Sequence, residues 1–309
     1  MDKAELYARS NGLQRREAAA ALEAAWPRLH WGAAPLRVLD VGCGTGDVTA
    51  DLLLPRLPPR AQVVGTDVSA AMLEHAAQLY GPARPSLSFQ LLDIADPHVD
   101  ASPVYRLAPF DKIFSFFCLH WVPEQRQAAA NLHRLLKPGG EVVLSLLADC
   151  PIFNVYEGLA RNSQWKQYMQ DANRFISPYH RSEDPAREMG ELLGSAGFRV
   201  DLCALHQRSF SFPGHSALRE AVTAVNPFVE RLPEKLQQEF LEDCMREVLR
   251  QKLVSVEDAA DSNNNSNNNN NKSGNDAVDA TCKIYTTRYS VLTVVATKPA
   301  GHDGDPNGR

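Results

Sequence analysis

VLDVGCGTGDVT, residues 38–49, reads as a buried strand that passes into a helix through a turn of alternating glycines. Gly42, Gly44 and Gly46 permit a tight turn and let the backbone approach a ligand closely. Loops of this kind serve several nucleotide-bearing ligands. The strict G-x-G-x-x-G spacing of dinucleotide sites is absent, because residue 47 is Asp and residue 48 is Val, followed by Thr49.

Outward from this turn, short apolar runs alternate with helical patterns. RVLDV (37–41), QVVGTDV (62–68), SLSFQLLD (86–93), DKIFSFFC (111–118) and EVVLSLL (141–147) read as strands. DVTADLLL (47–54), AAMLEHAAQLY (70–80) and PEQRQAAANLHRLL (123–136) read as helices, the last stopped by Lys137-Pro138-Gly139-Gly140. Strands separated by helices imply right-handed crossovers and a parallel sheet, hence the α/β class. Residues 1–30 form a helical cover that ends at Trp26-Pro27, with Leu13, Glu17, Ala20 and Ala21 on a helical period. Residues 35–147 form the ligand-binding core, and 148–256 a mainly helical lid, broken at Pro178 and Pro185, with a sixth strand near 198–205. The Asn-rich stretch within 257–280 is too poor in apolar groups to offset its ordering entropy and is expected to be a disordered surface loop. Residues 281–298 supply a final strand that completes the sheet, and 301–309 a frayed tail, all within one domain spanning 1–309.

With 44% hydrophobic and 22% charged residues, the chain has the composition of a soluble globular protein. A net charge of −5 without a long basic run argues against nucleic acid or an anionic membrane as partner. No stretch reaches the roughly 18 apolar residues of a membrane span. The N-terminus is charged and carries no apolar signal core. The six cysteines are scattered without a C-x-x-C pair, so a reduced, cytoplasmic protein is expected. The histidines and cysteines show no zinc-ligand spacing, and no metal is expected.

The strand ends sharpen the glycine loop. Asp40 closes the first strand, Asp67 the second and Asp93 the third. An acid at the second position can accept both hydroxyls of a ribose, and one at the third an exocyclic adenine amine. This ordered set resembles the class I S-adenosylmethionine-dependent methyltransferases over residues 35–147 and again in the final strands. The resemblance implies a Rossmann-like, seven-stranded mixed sheet whose last strand is antiparallel, with helical lid insertions. It also implies S-adenosylmethionine as cofactor, S-adenosylhomocysteine as product, and no metal. The expected cofactor-binding residues are Asp40, Gly42, Gly44, Gly46, Asp67, Val68, Asp93, Ile94 and Ser115. Such a ligand has no pyrophosphate to seat on a helix N-terminus but carries a cationic amino-acid end, which carboxylates suit better than phosphate-binding amides.

FSFFCLHWVPEQ (114–125) ends a buried run on His120 and Trp121, which should stand beside the ligand at the carboxyl end of the fourth strand. Together with LYARSNGLQRREA (6–18), PIFNVYEGLA (151–160), RFISPYH (174–180) and AVNPF (224–228), it resembles the insect juvenile hormone acid O-methyltransferases. That family methylates the carboxylate of farnesoic acid and juvenile hormone acids. The resemblance implies that Gln14 and Trp121 hold the substrate carboxylate, and His120 belongs to the same motif. The Asn tract and the Pro-rich turns at 55–59 and 82–85 depart from the family pattern in predicted loops.

A carboxylic acid of pKa about 4–5 is already ionised at neutral pH, so such a transfer needs no general base. Opposite charges vanish as the transition state forms, which favours a dry site with a few neutral donors such as Gln14, Trp121 and His120. Ile152, Phe153, Val155, Tyr156, Phe175, Ile176 and Tyr179, with helices after Pro213, are expected to wall an apolar substrate pocket. Methylation of another small acid, such as a fatty or tricarboxylic acid, and a non-catalytic S-adenosylmethionine-binding regulator remain as alternative readings. The tricarboxylic case calls for a focused cationic cluster, which Arg161, Lys166 and Arg174 do not form in the sequence.

Overall fold

In the computed structural model, residues 3–32, 35–258 and 283–300 are described. An eight-stranded sheet is built from β1 (Arg37–Val41), β2 (Gln62–Asp67), β3 (Leu87–Leu91), β4 (Phe110–Phe116), β5 (Leu136–Asp149), β6 (Arg199–Pro213), β7 (Val254–Asp258) and β8 (Lys283–Thr297). The order is β3-β2-β1-β4-β5-β8-β6, with β7 paired to β8. The first five strands are parallel. β8 runs antiparallel to β5, β6 and β7. Strand order reverses at β1, between β2 and β4, which places a crevice beyond Val41 and Phe116, where open α/β sheets bind ligands.

β1 and the helix over Ala70–Tyr80 fall on the residues expected from sequence. That helix is α3 here, after α1 (Ala4–Ser10) and α2 (Gly12–Ala25), and Ser69 caps it by accepting from Met72 N–H. The N-terminal cover is two helices, not one, divided at Asn11. The helix expected over 47–54 opens into a wide π turn at Thr49–Leu53 and a 3₁₀ turn at Leu54–Arg56, where Pro55 has no N–H to continue the ladder. The remaining helices are α4 (Gln125–Leu135), α5 (Pro151–Ala160), α6 (Pro185–Ser195), α7 (Gly214–Ala224) and α8 (Glu234–Arg250). Pro185 opens α6 instead of breaking a helix. It occupies the first turn, where its missing N–H has no consequence, behind an Asp184 cap that accepts from Arg187 N–H.

Two further departures shape the site. β6 continues to Pro213, well past the expected 205, and its upper half pairs with β8 as far as Ile284. The helical reading through 256 ends at Arg250, and Val254–Asp258 is an extra strand. Glu257 and Asp258, expected to begin the Asn-rich loop, therefore close a ladder; the rest of that loop and the expected tail at 301–309 lie outside the described residues. Three apolar clusters fill the fold. One lies under α4 and α6, one under α2, and one joins α5, α7 and α8 to the upper sheet.

Candidate active site

The glycine loop is tied to β2 by Gly42 N–H and Cys43 N–H, both donating to Thr66 O at 2.7 and 2.8 Å. Gly42 has φ of 77°, and a Cβ there would lie 2.2 Å from Cys118 Cβ. The loop therefore lies flat on Cys118, two residues beyond the end of β4. Asp67 holds the other side: its carboxylate accepts from Gly44 N–H and Ser69 N–H, each at 2.9 Å. Burial pushes the Asp67 carboxyl up against those two bonds. Asp93 closes its own turn by accepting from Ala95 N–H at 2.9 Å.

Gly42, Gly44, Asp67, Val68, Asp93 and Ile94 line one cleft. Val68 is 69% exposed there, an apolar surface that the fold itself leaves uncovered. Tyr7, Trp121, Arg174 and Phe175 close the opposite wall. Two expected members lie elsewhere. Ser115 is buried inside the sheet, and its hydroxyl donates to Val41 O at 2.8 Å. Gly46 faces Ala76 and Phe89, so it packs the loop against α3 and β3. Asp40 sits just beneath the cleft, 1% exposed; one oxygen accepts from Thr49 Oγ1 at 2.6 Å, while Oδ1 accepts nothing among the described residues.

The N-terminal cover is clamped to the loop. Asp47 accepts from Asn11 Nδ2 at 3.0 Å, Arg15 Nη1 at 2.5 Å and Thr45 Oγ1 at 2.8 Å. One turn further along α2, buried Glu17 accepts from Tyr289 Oη at 2.7 Å, which ties the helix to β8. The sequence reading noted Asp47 only for spoiling a dinucleotide spacing. Its partnership with Asn11 and Arg15, and the position of Tyr7 over the glycine loop, carry no local sequence signal.

Beside the cleft is a second pocket that contains no Asp, Glu, Lys or Arg in its lining among the described residues. Tyr7, Phe117, Trp121 and Val225 line both cavities and form the wall they share. Phe117 holds a left-handed backbone, φ 54°, pinned by its N–H donating to Ser145 O at 2.7 Å. Gln14, His120 and Ile152 line the apolar pocket as expected, and α7 supplies Leu218, Ala221 and Val222. Six other residues expected in its wall do not line it. Tyr156 is core and donates to Val225 O, Phe175 belongs to the glycine-loop cleft, Ile176 packs in the helical cluster, and Tyr179 lies under α4, donating to Gln125 Oε1. Phe153 and Val155 are likewise fully buried core residues.

His120 is 1% exposed, and its Nδ1 accepts from Leu147 N–H at 3.4 Å. That bond leaves the ring proton on Nε2, and burial pushes the imidazole pKa down to about 3. The side chain is therefore a neutral donor throughout the physiological range.

Residues 39–142 match the family model described as a methyltransferase domain. A juvenile hormone acid O-methyltransferase of Drosophila melanogaster is 36% identical over 84% of this chain and 87% of its own length. One of Bombyx mori is 34% identical over 82% and 88%. A trans-aconitate 2-methyltransferase of Variovorax paradoxus is 33% identical over a shorter span, 69% of this chain and 77% of its own. The chain belongs to the juvenile hormone acid O-methyltransferase family. It is a class I S-adenosylmethionine-dependent carboxyl O-methyltransferase, with the mixed sheet and antiparallel β8 of that class.

The methyltransferase's glycine-loop cleft fits S-adenosylmethionine. Among the described residues, Asp67, Asp93 and Glu124 line it against a single cation, Arg174, and the buried Asp40 Oδ1 beneath it lacks a donor. Burial pushes the Asp40 carboxyl up to about 7, against the Thr49 bond and with help from the charges of Asp67 and Asp47. With the ammonium of S-adenosylhomocysteine placed against an ionised Asp40, affinity is expected to rise with pH and to level off above about 7. On the acid side it changes by about tenfold per pH unit. In the free protein the raised group acts in the opposite sense. Its contribution to stability is full below the ordinary 3.8 and is lost as pH rises through about 7. Calorimetric titrations and thermal melts between pH 5 and pH 8 check both slopes; a pH-independent affinity removes Asp40 from the site.

Proposed function

We propose that this methyltransferase forms the methyl ester of an apolar sesquiterpenoid acid of the juvenile hormone acid or farnesoic acid class. The observation that carries the proposal is the shared wall of Tyr7, Phe117, Trp121 and Val225 between an acidic nucleoside-type cleft and a hydrocarbon pocket with no Asp, Glu, Lys or Arg among its described lining residues. In this reading Asp67 accepts the ribose hydroxyls, Asp93 the adenine amine, and Val68 and Ile94 contact the base. When bound, the cofactor supplies a methyl group on a sulfonium, an electrophile that needs no acid catalyst. Gln14 amide, Trp121 indole N–H and His120 Nε2–H orient the carboxylate at the shared wall.

Neutral donors suit this reaction better than an arginine. A cation paired with the carboxylate stabilises the charged ground state more than the charge-depleted transition state, and so raises the barrier. The same absence of cations disfavours a tricarboxylate such as trans-aconitate, whose additional carboxylates would be desolvated without partners. α2, α5, α7 and α8 cover the pocket, and the chain works as one methyltransferase unit. Among the described residues no helix is long and apolar enough to cross a membrane. The same reading puts the reaction in juvenile hormone synthesis of an insect cell's cytoplasm.

Labelled S-adenosylmethionine tested with farnesoic acid, juvenile hormone acid, lauric acid and trans-aconitate should give selective methyl esters of the two terpenoid acids, identified by mass spectrometry. Turnover of trans-aconitate alone overturns the substrate assignment. Trp121→Phe keeps the aromatic wall and removes one donor to a charged group, about 1.5–3 kcal/mol, so kcat/KM should fall about 10- to 100-fold. Its affinity for S-adenosylhomocysteine should stay near the native value. An unchanged kcat/KM shows that the indole N–H has no part in holding the acid.

A further inference from the structure

Beneath the shared wall, between the glycine loop and α2, is a small chamber of about 20 Å³, room for one water or one ammonium head. Tyr7, Asn11, Gln14, Asp40 and Asp47 line it. Asn11 and Asp47 are already bonded to each other, and Arg15 and Thr45 complete the Asp47 carboxylate. Two acceptors remain, Asp40 Oδ1 and Gln14 Oε1, both buried and both without a donor among the described residues. Two unpaired acceptors in one small chamber call for a ligand that donates more than one proton and carries positive charge. A primary ammonium does both; a single water supplies the protons but not the charge.

Gln14 also lines the apolar pocket, where the neighbouring Ser10 Oγ is a third buried polar atom without a partner. One side chain thus borders both ligands' cavities. We propose that Gln14 couples them: its Oε1 accepts from the α-ammonium of the cofactor, opposite Asp40, and this bond turns its Nε2 amide into the apolar pocket as a donor to the acid. The acid then binds tightly only to the cofactor-loaded protein, which imposes an order of binding. The clamp of Asn11 and Arg15 on Asp47 holds α2 at the distance this bridge requires. The inference rests on the proposed acid substrate for its second half and on the chamber alone for its first.

The test is calorimetry on the full chain with S-adenosylhomocysteine, which has no methyl to transfer, so binding is read without turnover. Farnesoic acid should bind about 5- to 150-fold more tightly in its presence, the range of a typical coupling. The deamino analogue of S-adenosylhomocysteine should give no such gain. In Gln14→Met, which retains length and removes both amide ends, the gain should disappear. Without any acid, Gln14→Met should lose affinity for S-adenosylhomocysteine several-fold and none for the deamino analogue. Equal tightening by the deamino analogue, or a gain that survives Gln14→Met, overturns the coupling. If farnesoic acid binds in no state, the substrate assignment fails, and the acid-free arm still decides: an amine effect equal in native and Gln14→Met protein overturns the bridge.

Discussion

Asp67→Ala should bind S-adenosylhomocysteine at least about a hundredfold more weakly than the native chain while melting within a few degrees of it. The loss of affinity is that of two hydrogen bonds to a charged acceptor, about 1.5–3 kcal/mol each. The small change in stability has a different origin. The native carboxylate is half-buried, and its bonds from Gly44 and Ser69 offset the desolvation cost in part. Removing it strands two amides at the edge of an open cleft, where water reaches them, and relieves a half-buried charge. Asp67→Asn keeps one acceptor oxygen and should fall between the two. Equilibrium binding and thermal melts on the same preparations separate the effects. An affinity within about threefold of native excludes Asp67 as the main ribose contact.

Gly42→Ala is the other large effect, and here both stability and binding fall. The added methyl meets two obstacles: a left-handed backbone, φ 77°, and Cys118, whose Cβ would be 2.2 Å and Sγ 2.3 Å away. Left-handed strain costs about 1–2 kcal/mol and overpacking about 1–3 kcal/mol, so a loss near 3 kcal/mol is expected. The loop must also rise off Cys118, which disturbs the Gly44–Asp67 bond and the cleft floor. A second substitution identifies the cause. Cys118→Ala removes only the sulfur and leaves the Cβ clash, so Gly42→Ala/Cys118→Ala should remain impaired. Cys118→Gly removes both atoms and should recover the steric part in a double-mutant cycle, leaving the backbone strain. Equal recovery by the two cysteine variants would show that the sulfur alone is the obstacle.

The parts of the site that lie within one strand–turn–helix unit are legible in sequence, because local chemistry determines them. Asp40, the glycines, Asp67 and Asp93 follow from strand ends and turn residues, and all but Gly46 border the cleft or the chamber beneath it. The errors share one physical cause. An apolar run on a short helix does not say which side meets core and which meets ligand. On α5, Ile152 reaches the pocket while Phe153, Val155 and Tyr156 are fully buried. Ser115 illustrates the same ambiguity in a strand: its hydroxyl is taken by a neighbouring carbonyl that only the β1–β4 pairing brings near. Asp47 pairs with residues more than thirty positions away, and Tyr7 reaches the cleft only because α1 folds back over it. β7 was hidden for a related reason. Its short, mostly exposed pattern gains meaning only from the long β8 beside it.

That last ladder has a further consequence. Asp258 and Lys283 are register partners, so the chain leaves the sheet and re-enters it at adjacent points. Any connection between them has only a hairpin's width to span. Closure entropy grows by about 0.6 kcal/mol per doubling of length, so doubling the 259–282 connection is almost silent energetically, and replacing it with a short turn lowers the closure cost by only about 1–2 kcal/mol. Yet Val254 and Thr287 on the same ladder form part of the apolar pocket's wall. The junction is thus a natural port: a dye or small tag spliced there would join the ladder four register steps from that wall pair.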